Sequence, residues 1–171
     1  MRRHLVELIG MAVLMASAQA QANAQPLPPP AIGASPATFE QVFGGANDAS
    51  IGAILHFQRC AGTDIDQLVL LAPNDQVWTI QRQWCQLGGL PADERLANAA
   101  QFLPPDAIAG TPFTTDVGES AQSYQSATLA ALLPTGLFHD CLGNPVTPGT
   151  LFVVADAYGG WFMGPGSCPS Q

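Results

Sequence analysis

Hydrophobic and polar positions fall into short blocks whose period changes along the chain. The run ATFEQVF is preceded by Ser35 in an N-cap position and Pro36 at the first helical position, and is closed by Gly44. This predicts a short helix burying Phe39, Val42 and Phe43. From Ile51 to Cys85 the period shortens towards two. IGAILHFQRC alternates in part, QLVLLAP is continuously apolar, and VWTIQRQWC alternates cleanly, with Pro73-Asn74-Asp75-Gln76 as turn chemistry between the last two. A three-stranded meander follows, in which Leu68 to Leu71 pairs with Val77 to Trp84 as an antiparallel hairpin.

Pro91 then opens a second helix, PADERLANAAQFL, with Asp93 and Glu94 in its first turn and an apolar stripe of Leu96, Ala99, Ala100 and Leu103. Pro104-Pro105 ends it. Thr111 to Thr115 and Ala121 to Gln125 flank Val117-Gly118-Glu119 as a second hairpin, and Ser126 caps a brief helix, ATLAALL, stopped by Pro134. Thr150 to Ala155 and Trp161 to Met163 flank Tyr158-Gly159-Gly160 as a third hairpin. Hairpins and helices segregated in this way predict an α+β fold with a mainly antiparallel sheet and two or three short helices, not the strand–helix alternation of a parallel sheet.

Upstream of this pattern, residues 1–24 read as a signal peptide. Arg2 and Arg3 form the positive region, Leu8 to Met15 the short apolar core, and Ala18-Gln19-Ala20 or Ala22-Asn23-Ala24 the cleavage site. The apolar run is too short for a membrane span, which needs about 20 residues. The arginine pair leaves both the general and the twin-arginine export routes open. Gln25 to Ser35 is a Pro-rich tether, and residues 36–171 form one domain. The expected location is therefore secreted or periplasmic, with no membrane span after cleavage.

In 171 residues, 47% are apolar and 11% charged, a composition that excludes disorder as the dominant state. There is no lysine, and removal of the leader leaves three arginines against twelve acids, a net charge of −9. That sign repels phosphate backbones, so nucleic acid is excluded as a partner. The four cysteines, Cys60, Cys85, Cys141 and Cys168, fall in the exported part, where paired thiols oxidise. Of three possible connectivities, Cys60–Cys85 and Cys141–Cys168 close the modest loops of 25 and 27 positions. Each such bridge stabilises by about 3–4 kcal/mol on the chain-entropy model. A zinc site is the rival reading, but no C-x-x-C occurs and only His56 and His139 remain to complete one.

Candidate chemistry is sparse. His139-Asp140-Cys141 has triad residue types, yet neighbours in sequence do not converge as a catalytic pair must. Asp64 and Asp66, with Asp75 in the next turn, suggest a calcium loop but lack the third acid and glycine of an EF-hand. Trp78, Arg82 and Trp84 share one face of the third strand, the tryptophans about 20 Å apart, and are the first candidates for a binding platform. Core burial is the competing fate of both tryptophans, but an arginine between them suits a partly exposed face. No cofactor motif is present. The leading expectation is an exported non-enzymatic binding or interaction module for an extracytoplasmic ligand or protein. The alternatives are a secreted carboxylate-dependent hydrolase and a protease inhibitor built on disulfide-fixed loops.

Overall fold

The computed structural model describes residues 30–48, 50–59, 66–84 and 90–167. Seven strands form one antiparallel sheet: β1 Ile54–Arg59, β2 Asp66–Leu71, β3 Thr79–Arg82, β4 Ile108–Thr114, β5 Ser120–Gln125, β6 Thr150–Ala155 and β7 Trp161–Pro165. Each hairpin expected from the pattern is present, and β1-β2-β3 is the meander. The sheet order is β1-β2-β3-β7-β6-β5-β4, so the last hairpin inserts between the meander and the β4–β5 hairpin. Together with three short helices among the described residues, α1 Pro36–Phe43, α2 Ala92–Ala99 and α3 Ala127–Leu132, this makes an α+β architecture.

All three helices contribute to a single core against one face of the sheet. Phe39, Ala99 and Leu129 pack with Leu68, Leu70, Ile80, Leu151, Val153, Trp161 and Met163, all at or near zero exposure. Phe102 lies 6.5 Å from Phe39 and 5.3 Å from Trp161, ring centre to ring centre, and links α1 to the sheet. Each such side chain contributes about 1.5–3 kcal/mol by leaving water. Trp161 keeps its indole N–H satisfied through Asn98 Oδ1 at 3.0 Å, and Arg95 donates to the main-chain oxygens of Asp156 and Gly160. Thus α2 is fastened to the β6–β7 hairpin by polar groups on two successive turns.

Three expectations are corrected in detail. Pro91 is the N-cap of α2 rather than its first residue, and after Ala99 the helix tightens into a 3-10 turn, Ala100–Phe102. With three residues per turn instead of 3.6, Phe102 swings inward at 1% exposure while Ala100 faces solvent. In α1 Val42 is only half-buried, and Phe39 carries the buried face with Phe43 packed beside it. The end of the expected tether belongs to the packed body. Ile32 is 2% exposed and its N–H donates to Phe102 O at 2.8 Å, while Gly33 N–H donates to Val77 O and Val77 N–H to Ala34 O. Residues 31–34 form a turn closed by Ala34 N–H donating to Ala31 O at 3.1 Å, and Ile32 anchors that turn to the core.

Strand β4 ends the sheet on one side. Its pairing with β5 shifts register between Ala109 and Pro112, and its residues are almost all exposed. No helix of the described residues is long and apolar enough to cross a membrane.

Candidate functional site

Alternation along the strands gives the sheet a second face, and α1, α2 and α3 all pack on the other one. Cross-strand partners point to the same side, so the register can be read as rows. One row runs across all seven strands: His56, Val69, Gln81, Phe162, Val154, Ala121 and Phe113. The neighbouring row contains Ile54, Leu71 and Thr79 on one side and Gly164, Phe152 and Ser123 on the other. Antiparallel sheets normally turn polar residues to an open face. Here the Phe152 and Phe162 rings meet tilted at 43° with centres 5.7 Å apart, and Phe152, Val154 and Ala121 form a second small apolar cluster.

The missing side chain at Gly164 deepens this face into a groove. A Cβ at that position would lie 3.4 Å from both Phe152 Cζ and Thr79 Cγ2 and 3.5 Å from Phe162 Cε1, so it would occupy the floor. The groove encloses about 540 Å³, within the range of ligand-binding clefts. Its floor is Thr79, Gln81, Phe152, Val154, Phe162 and Gly164. Trp78 and Leu71 form one wall, and Glu119, Asp156 and Tyr158 one end, with His139 and Leu137 also on the lining.

The acidic end follows from the register. Ser120 pairs with Ala155, and the next step of the ladder sets Glu119 opposite Asp156 on the groove side. Main-chain amides fix both carboxylates. Ala157 N–H donates to Glu119 Oε1 at 2.7 Å, and the N–H groups of Tyr158 and Gly160 donate to Asp156 Oδ1 at 2.9 Å. Tyr158, 87% exposed, stands at the hairpin tip beside them.

The expected platform residues lie differently. Ile80, between Trp78 and Arg82, is fully buried, and alternation carries its neighbours two positions away to the helix-covered side. Trp84 packs half-buried against the core with the Arg82 guanidinium 5.6 Å from its ring centre, and burial lowers the pKa of that guanidinium. Trp78 touches both the core and the groove. All three are half-buried, and Trp78 alone of them also lines the groove. The strand chosen from sequence does border the groove, but through Thr79 and Gln81 on its other face.

Of the two described histidines the groove is lined by His139 and not by His56, which sits on β1. His139 Nδ1 lies 3.0 Å from Asp140 O, whereas the Asp140 carboxylate accepts from Leu142 N–H, Asn144 N–H and the Asn144 amide. The Asn144 contacts, followed by Leu142 N–H, hold its carboxyl below the usual carboxylate range. Asp106 is lowered likewise, first by Thr128 N–H and then by Ser126 O–H. Both acids serve loop and helix-cap geometry. Cys141 is exposed in the turn after Asp140. Cys60, Cys85 and Cys168 lie outside the described residues, as do Asp64 and the side chain of Asp66. Among the described residues, no cluster of three His, Cys, Asp or Glu could hold a metal ion.

Residues Phe152, Gly164, Glu119 and Asp156 were not singled out as a site by sequence. For Phe152 the one signal was the unbroken apolar run Leu151–Ala155, which makes both faces of β6 apolar. In comparisons with known proteins, the chain matches no protein-family model, no curated protein and no solved structure.

Proposed function

We propose that the chain is an exported, non-enzymatic binding module, secreted or periplasmic, whose ligand lies on the uncovered sheet face. The observation that carries this reading is the groove at Gly164, an aromatic-lined depression on a face that an unliganded sheet would normally make polar. The groove's own carboxylates, Glu119 and Asp156, are each fixed at one oxygen by main-chain N–H groups, which suits them to hold a ligand's charge.

Two disulfides, Cys60–Cys85 and Cys141–Cys168, belong to the same proposal. Ser167 N–H donates to His139 O at 3.1 Å, bringing the residue before Cys168 beside the residue two before Cys141. At the other side of the sheet, β1 and β3 both flank the start of β2. Their ends are thus two strand spacings apart, about 10 Å, and each is followed shortly by a cysteine. Peptide mass spectrometry without reduction is expected to recover these two linked pairs, and free thiols would overturn the pairing.

Binding is tested with the purified protein and three blocked tripeptides, in which an alanine, arginine or glutamate is flanked by two phenylalanines. Trp78 on the groove wall reports occupancy by its emission. At least one peptide is expected to give a saturable change that Gly164→Val removes without lowering Tm. No saturable change with any peptide, or one undiminished in Gly164→Val, would refute the groove as the binding surface.

A further inference from the structure

The groove ends in two like charges held side by side. Glu119 and Asp156 follow the last cross-strand pair of β5 and β6, a position where like charges destabilise each other. One oxygen of each is fixed by main-chain N–H groups, and among the described residues Glu119 Oε2 and Asp156 Oδ2 accept no hydrogen bond. The described cations are elsewhere: Arg82 stacks on Trp84 on the helix side, and Arg95 reaches the main-chain oxygens of Asp156 and Gly160, not the carboxylates. A second copy of this chain would bring more acid to acid, because the protein carries a net charge of −8.

We infer that the groove takes a basic peptide segment of a partner protein. An arginine or lysine lays its aliphatic stem on Phe162 and Val154 and places its charged head between Glu119 and Asp156. This rests on the groove being the binding surface. Long cationic side chains pair an apolar stem with a charged tip, the same succession that the groove presents from floor to end. Tyr158 adds a ring face at the tip for the cation.

The same three tripeptides decide it. The arginine peptide is expected to bind about tenfold more tightly than the glutamate peptide. That preference should collapse between about 0.01 and about 1 M salt, as the screening length falls from about 30 to about 3 Å. Glu119→Gln combined with Asp156→Asn keeps the loop hydrogen bonds, because an amide oxygen still accepts, and is expected to reduce the arginine peptide to the affinity of the alanine one. Gln81→Lys, which places a cation on the floor, should weaken the arginine peptide and spare the alanine peptide. Equal affinity for all three peptides, lost in Gly164→Val, would overturn the basic partner and leave the groove standing. If none binds, both fall.

Discussion

Arg95 offers a direct test of how the acidic end of the groove is held. Arg95→Met keeps the stem and the helix propensity but removes the donors to Asp156 O and Gly160 O. A hydrogen bond from a charged donor contributes about 1.5–3 kcal/mol. Each carbonyl retains a second partner, Gly159 N–H on Asp156 O and Asp156 N–H on Gly160 O, so the lower figure applies to each bond, about 3 kcal/mol together. Against this stands Arg95 Nε, buried without a partner, whose removal returns about 1 kcal/mol. The expected net loss is about 2 kcal/mol, a fall in Tm of about 4–8 °C for a domain of this size. Urea unfolding followed by the emission of the fully buried Trp161 measures it. A loss below about 0.5 kcal/mol would show that the clamp contributes nothing to the fold. The reasoning also requires weaker peptide binding, since the hairpin carrying Asp156 and Tyr158 loses its attachment to α2.

Ser126→Ala leaves the buried Leu129 N–H without its acceptor and is expected to cost about 1–2 kcal/mol in chemical denaturation; a loss comparable to exposed-site variants of α3 would contradict the cap. Asp106, held low by Thr128 N–H and Ser126 O–H, binds its proton more weakly folded than unfolded. Its stabilisation is therefore complete above the unfolded carboxyl pKa of about 3.9 and lost as pH falls through the folded value. Asp106→Asn should flatten the acid limb of Tm against pH, and an unchanged limb would sink the assignment. Gly160→Ala would set a Cβ 2.2 Å from Arg82 O, forcing β7 from β3 where Arg82 pairs with Trp161. It is expected to cost more than about 4 kcal/mol or to prevent folding, as judged by circular dichroism, and a wild-type melt would refute the close approach.

Local elements were legible because their signals are local. Pro36 and Gly44 bracket α1, Ser126 and Pro134 bracket α3, and turn residues separate the paired strands of each hairpin. The insertion of β6–β7 beside β3 joins residues some 80 positions apart and leaves no mark in a short window. The same gap hid the site. Alternation in VWTIQRQW separates two faces correctly, but only the position of the helices decides which is covered, and that depends on Phe39, Phe102 and Trp161 meeting across the chain. The 3-10 turn at Ala100 was hidden for another reason: its tighter winding follows from where Phe102 finds space in the core.

Strand β4 has one further consequence. A sheet margin with regularly spaced donors and acceptors can recruit a strand from another molecule and begin a fibril. At Pro112 the margin lacks a donor, and the irregular step after Ala109 breaks the spacing an incoming strand would need. On this side the protein is a poor template for its own polymerisation.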